Sequence, residues 1–90
     1  MMPIPQCIKE AFIDWALNAH PKGGFVTAVL ENDLVRAFTK ADSLNRTMML
    51  EIVTWMVSNM PSASYGSVKN VKEWKGIPNS EYAKQWKEKF

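Results

Sequence analysis

Cysteine is almost absent from this 90-residue chain: Cys7 stands alone. One thiol excludes an intramolecular disulfide framework and any zinc site built from several cysteines. Beside Ile8 it reads as a buried or half-buried, inert thiol. Histidine is as scarce, with His20 the single example. It precedes Pro21 and has no local carboxylate or cysteine at metal-ligand spacing, so it reads as a solvated or helix-terminal residue and not a base or ligand. No apolar run approaches the roughly 18 residues that a membrane-spanning helix needs. An excess of charge is also missing, since 11 Lys and Arg face 9 Asp and Glu for a formal net charge of +2. That is far from the basic stripe of a DNA-binding surface, and nucleic acid ranks last among the partners considered. The segment MMPIPQCIKEAF has no basic start followed by an apolar run and a small-residue cleavage site. It reads as carrying no secretory signal, and with a single thiol the expected location is the cytoplasm.

The motifs of common chemistries are missing too. There is no GxxxxGKS/T, GxGxxG, HExxH or GxSxG, and Gly66-Ser67 lacks the flanking spacing of a nucleophile elbow. Nothing asks for an enzyme, a metal or a cofactor. The expectation is a protein that binds without catalysing.

What is present is large apolar side chains: four Trp, four Phe, two Tyr and six Met. A short chain has a poor surface-to-volume ratio and needs such residues to build one core. The length gives a single domain, residues 1–90.

The apolar positions recur with helical period. Ile8, Ala11, Phe12, Trp15, Ala16 and Ala19 mark one face of a first helix, which His20-Pro21 ends. A second is expected from about Gly24 through Leu30, Leu34, Ala37, Phe38 and Ala41. Asp42-Ser43 then offers a break and an N-cap. A third runs from about Leu44 to Asn59, with Leu44, Met48, Ile52, Trp55 and Met56 on one face. Ser67 caps a short fourth helix carrying Val68, Val71 and Trp74, with Gly76 placed as its C-terminal glycine. A basic last helix covers about 80–90, with Tyr82, Trp86 and Phe90 four residues apart. No strand alternation is found. The predicted class is all-α, a compact bundle of four to five short helices.

Three constellations remain. In the first, Gly23-Gly24-Phe25 and Tyr65-Gly66-Ser67 each precede a helix start, where free backbone N–H groups either hold an anion or are simply capped. The second is Asn32, Asp33, Arg36 and Asn45. Asn32 and Asp33 are poor helix formers placed in mid-helix, and they either stabilise a neighbouring loop or line a polar pocket with Arg36. Asp33 and Arg36 are also spaced to pair. The third is aromatic, with Tyr65, Trp74, Tyr82 and Trp86 among Lys69, Lys72, Lys75, Lys84 and Lys87. Such a set either stacks a base and holds its phosphate, or packs a core beneath solvated lysines. Charge supports that contrast: residues 1–67 carry five basic and six acidic side chains, residues 68–90 six lysines and three glutamates.

The run Pro21-Lys22-Gly23-Gly24-Phe25-Val26-Thr27-Ala28-Val29-Leu30-Glu31-Asn32-Asp33-Leu34 resembles a family of small phage and prophage accessory proteins. Ala37-Phe38, Ala41-Asp42, Asn45, Glu51-Ile52-Val53, Trp55, Pro61, Gly66-Ser67, Val71 and Trp74 belong to the same likeness, which covers about residues 18–75. The family brings a setting and no mechanism: a protein made in an infected bacterial cell. The resemblance implies stoichiometric binding. The first reading is a sponge that sequesters a small anionic, nucleotide-like signal of the host. Gly24, Thr27, Arg36, Gly66 and Ser67 would serve the phosphate, Tyr65 or Trp74 the base, and Asn32 and Asp33 the ribose. A homo-oligomer would share or shield the site. The alternative is an inhibitor that docks on a host protein through an apolar Trp/Met surface anchored by Trp74 or Trp86.

Overall fold

A computed structural model describes residues 4–90 of the chain. Residues 1–3, the start of the segment read above as free of a signal, lie outside it. The described residues form seven α-helices and no strand: α1 (Gln6–Asn18), α2 (Gly24–Leu30), α3 (Leu34–Lys40), α4 (Ser43–Thr47), α5 (Met49–Asn59), α6 (Val68–Glu73) and α7 (Ser80–Glu88). A 3-10 turn at Ser62–Ser64 joins α5 to α6. The all-α class is as expected. The helix count is higher because two of the expected helices are each broken in two.

The first break falls at Asn32-Asp33. Asn32 takes φ 62°. Its N–H donates to the Val29 carbonyl at 3.2 Å, and the Asp33 N–H donates to the Ala28 carbonyl at 2.9 Å. Those two bonds close a helix C-terminus of the Schellman type, with Asn tolerated in the left-handed position. Asp33 then caps α3, its Oδ1 accepting the Arg36 N–H at 3.1 Å. Neither residue is therefore in mid-helix. Because α3 restarts after this turn, its expected apolar stripe divides. Ala37 stays buried, while Leu34 is 64% exposed and Phe38 38% exposed.

The second break falls at Met48, whose φ of −100° and ψ of 16° separate α4 from α5. Asp42 caps α4 as expected, accepting the Asn45 N–H at 2.8 Å. Leu44 does not join the core and is more than half exposed, whereas Met49, Ile52, Trp55 and Met56 of α5 are buried.

The core is one buried cluster running from Ile4 to Trp86, with Phe12, Leu30 and Ile52 sealed from solvent. Phe12 of α1 stacks on Trp55 of α5, ring centroids 5.8 Å apart and planes 12° apart. The radius of gyration, 12.4 Å, matches the roughly 12 Å expected of a close-packed chain of this length. Of the last helix's aromatic stripe, Trp86 is buried and Tyr82 is exposed. Phe90, beyond the end of α7, lies 5.1 Å from Trp55 and 4.9 Å from Trp86 between ring centroids.

Three tryptophan N–H groups tie these short helices together. Trp15 donates to the Ser64 carbonyl at 2.9 Å, Trp74 to the Trp15 carbonyl at 3.0 Å, and Trp86 to the Asn59 carbonyl at 2.9 Å. Each acceptor lies at a helix end or in the 3-10 turn, where backbone carbonyls lack intrahelical partners or can take a second donor. Gly76 belongs to the same scheme. It is not the residue that ends α6, for Trp74 holds that place. Gly76 presses on the Leu17 carbonyl, and the next N–H, that of Ile77, donates to the Ala16 carbonyl at 2.9 Å. The segment after α6 thus caps the C-terminal end of α1.

Candidate functional site

The two glycine-led helix starts do not open onto a common space. At α2 the stem of Lys40 lies over Gly24, 3.6 Å from where a methyl would sit. At α6 the Gly66 N–H is already used, donating to the Leu30 carbonyl at 2.7 Å. Ser67 is the α6 cap, its Oγ accepting the Asn70 N–H at 3.0 Å. The Asn70 side chain bonds the Tyr65 carbonyl at 2.8 Å, and the Tyr65 ring packs on the core. The α6 loop therefore follows the capping alternative, whereas the α2 start has no side-chain cap and is overlain by the Lys40 stem. The Gly66 bond does bring this loop to the end of α2, next in sequence to Asn32-Asp33.

The polar group has a similar outcome. Arg36 lies 3.2 Å from Glu31 and 3.7 Å from Asp33. On one continuous helix Glu31 and Asp33 would diverge. The turn at Asn32 instead lets both carboxylates reach one guanidinium, which neutralises it as an anion receptor. Asn32 and Asp33 line a small groove of about 110 Å³ between α3 and α5, with Ala28, Val29, Leu34, Ala37, Met49, Val53 and Met56. It is walled by apolar side chains and is well below the roughly 300–1,000 Å³ of ordinary ligand sites. Asn45 stands apart in α4, with its N–H bonded to Asp42.

A larger groove, about 460 Å³, lies between the end of α1, the start of α2 and α6. Trp15, Asn18, Ala19, Pro21, Lys22, Thr27, Val71, Lys72, Trp74 and Lys75 line it. The structure thus joins two of the expected site residues, Thr27 and Trp74, to three lysines. The Trp74 N–H is committed to the Trp15 carbonyl, which fixes the ring. Thr27 is less available than expected, since its hydroxyl donates to the Lys22 carbonyl at 3.0 Å. Lys72 and Lys75, three apart around the end of α6, are exposed and have no ion-pair partner among the described residues. The aromatic–lysine pattern was the usable sequence signal for this groove. Lys22 and Asn18 carried none, because only the return of the chain after α6 brings them opposite Trp74.

Lys22 is held by Asp14 of α1, which also accepts from Asn18 at 2.9 Å and lies 3.1 Å from His20 Nδ1. His20 is exposed as expected, yet it does have a carboxylate partner, supplied from one helical turn and a half upstream. Cys7, expected to be at least half-buried, is exposed. The lysine contact, aided by Asn18 and His20, holds the Asp14 carboxyl down at about 2, from an ordinary value of 3.8. A carboxylate whose pKa falls on folding stabilises the fold above its unfolded pKa and loses that contribution as pH falls through the folded one. Stability should therefore decline between about pH 4 and pH 2, and Asp14→Asn should flatten that part of the curve. Urea midpoints measured across this range check it; an equal acid decline in the variant would remove Asp14 from the account.

No family model, curated protein or solved structure matches the chain. None of the helices is long and apolar enough to cross a membrane, and no cluster of His, Cys, Asp and Glu suited to a metal ion occurs among the described residues.

Proposed function

We propose that this chain is a non-enzymatic binding protein that sequesters a small anionic, nucleotide-like ligand in the groove between α1, α2 and α6. The observation that carries the reading is the meeting of a fixed indole, Trp74, with the free ammonium groups of Lys72 and Lys75 in a groove of about 460 Å³. A flat aromatic face accepts a base or another planar ring. Two unpaired lysines beside it serve as point charges for a phosphate or pyrophosphate. Lys22 adds a third positive group at the wall, already partly satisfied by Asp14. The Arg36, Gly24 and Gly66-Ser67 contributions foreseen for the phosphate play no part in this version, because ion pairs, a lysine stem and capping bonds occupy them. The resemblance to phage accessory proteins supplies the setting, an infected bacterial cytoplasm in which tying up a nucleotide-derived signal is itself a function.

Thermal shift with ADP-ribose and a panel of cyclic nucleotides tests this directly. A ligand that binds only the folded state adds about 2.7 kcal/mol at a hundredfold excess over Kd. For a chain of this length that is a rise in Tm of roughly 10 °C or more. Lys72→Glu with Lys75→Glu should abolish the rise without unfolding the protein, since both side chains are exposed. No shift with any probe at millimolar concentration, or a shift that survives the double charge reversal, would sink the reading.

A further inference from the structure

We infer that the ligand of the Trp74 groove carries an exocyclic amino group on its planar ring, as adenine does, and that Asn18, oriented by Asp14, is the residue that recognises it. This rests on the groove being the binding site proposed above and adds the chemical class of the ring. The neutral polar side chains of the groove are Trp15, Asn18, Thr27 and Trp74. Both indole N–H groups are spent, Trp15 on the Ser64 carbonyl at 2.9 Å and Trp74 on the Trp15 carbonyl at 3.0 Å. The Thr27 hydroxyl gives its one proton to the Lys22 carbonyl at 3.0 Å, so towards a ligand its oxygen only accepts. The Thr27 main-chain N–H is bonded to the Gly23 carbonyl at 3.0 Å.

Asn18 is the polar group with something left to offer. Its Nδ2 donates to Asp14 Oδ1 at 2.9 Å. Asp14 is ionised at any ordinary pH, its carboxyl being held down at about 2, and an ionised carboxylate only accepts. The amide nitrogen is therefore the end turned to Asp14, and Oδ1 is left without a partner among the described residues. The main chain points the same way. The α1 wall comes from the end of that helix at Asn18, and the α6 wall from its end at Glu73, where the last carbonyls lack intrahelical partners. The ammonium groups of Lys22, Lys72 and Lys75 remain as donors, and they suit an anion. Away from those charges the groove presents acceptors. An amino group projecting from the edge of a planar base donates to Asn18 Oδ1, whereas a carbonyl at the same place sets two acceptors against each other. Adenine and hypoxanthine have nearly the same outline and differ in that one respect. A site that pairs with a ligand group disfavours the analogue lacking it, because its own polar atom is left unpaired. Asn18 is exposed, so water repairs part of that loss and the discrimination is about 3- to 10-fold.

Isothermal titration calorimetry with matched pairs tests this inference: AMP with IMP, cyclic AMP with cyclic IMP, and ADP-ribose with inosine diphosphate ribose. In each pair that binds, the amino member should bind about 3- to 10-fold more tightly. Asn18→Ala should bring that ratio close to one with the far-UV circular dichroism unchanged, because the side chain is exposed. Asp14→Asn puts a group that both donates and accepts beside Asn18, which lets the carboxamide turn over, and it should lower the ratio as well. A merely structural role of Asp14 would change both affinities together and leave the ratio where it was. Equal affinities within a pair, with binding still lost in Lys72→Glu with Lys75→Glu, would overturn this inference and leave the proposed function standing. A preference that survives Asn18→Ala would overturn it too. Absence of binding by every probe would remove the proposed function and this inference together.

Discussion

Gly76→Ala should cost about 3–6 kcal/mol, a large part of the roughly 5–14 kcal/mol expected for a chain of this length. Two effects combine. Gly76 has φ 96°, where any side chain is strained by about 1–3 kcal/mol. A methyl there would also lie 2.4 Å from the Leu17 carbonyl oxygen and 3.1 Å from its carbon. Both atoms are backbone of α1, so neither can swing aside. The segment after α6 would have to lift off the end of α1. That loosens two hydrogen bonds, Trp74 N–H to Trp15 and Ile77 N–H to Ala16, each worth about 0.5–1.5 kcal/mol net. Gly23→Ala is the matched control: Gly23 has φ −68° and nothing within 4 Å of an added methyl. Gly23 is the N-cap of α2, where Ala is less favoured than Gly, so the cost should stay within about 1 kcal/mol. Urea unfolding followed by tryptophan fluorescence gives both values. Equal midpoints for the two variants would mean that the α1 end is not clamped as described. The clamp also holds the groove, since Trp74 and Trp15 both line it.

Helical period was readable wherever a helix was long. Ile8, Phe12, Trp15 and Ala16 of α1, and Ile52, Trp55 and Met56 of α5, bury the face that their spacing marks. The caps at Asp42 and Ser67 were readable as well. The break at Asn32-Asp33 carried its own sign, two poor helix formers followed by Arg36, but the apolar spacing from Leu30 to Ala41 ran through it and suggested continuity. Periodicity reports which residues share a face only while the backbone continues; one residue at φ 62° resets the phase. Leu34 and Phe38 are exposed for that reason. The same turn explains why a group suggestive of a pocket became an ion-paired helix junction.

The groove was harder to read because its walls are distant in sequence. Trp74 meets Trp15 across 59 residues, by a bond from a side chain to a main-chain carbonyl that no local pattern encodes. The lysines beside Trp74 were visible as a basic segment, but a solvated lysine face and a phosphate-binding pair have the same spacing. Only the path of the chain through Gly76 decides that Lys72 and Lys75 border a concavity and not an open surface. The close approach at Gly76 is equally silent in sequence, where the residue looked like an ordinary helix-ending glycine.

Trp86→Ala should destabilise the fold by about 3–5 kcal/mol, the usual cost of removing a large buried aromatic. The sequence alone allowed Trp86 to be a surface anchor for a partner, and its burial at 3% exposure excludes that role in the free chain. Its ring is the point at which α7 joins the core, beside Phe90, which in turn reaches Trp55. Its N–H holds the Asn59 carbonyl at the end of α5. Truncation opens a cavity, frees Phe90 and leaves that carbonyl to water. Trp86→Phe separates these contributions: it keeps most of the apolar contact and loses the donor, so it should cost about 0.5–1.5 kcal/mol for the bond, plus a smaller packing loss. Phe12→Ala, in the same aromatic stack but from α1, should cost a comparable 3–5 kcal/mol. Because the Phe12 ring stacks on Trp55 and the Trp86 ring reaches Trp55 through Phe90, the double variant should be less destabilised than the sum of the singles. Urea titrations of the four variants by circular dichroism provide the comparison. Strict additivity, or a Trp86→Ala cost under about 1 kcal/mol, would mean that α7 rests on the surface instead of completing the core. A helix so loosely held could not support the hydrophobic contacts that fix Phe90 against Trp55.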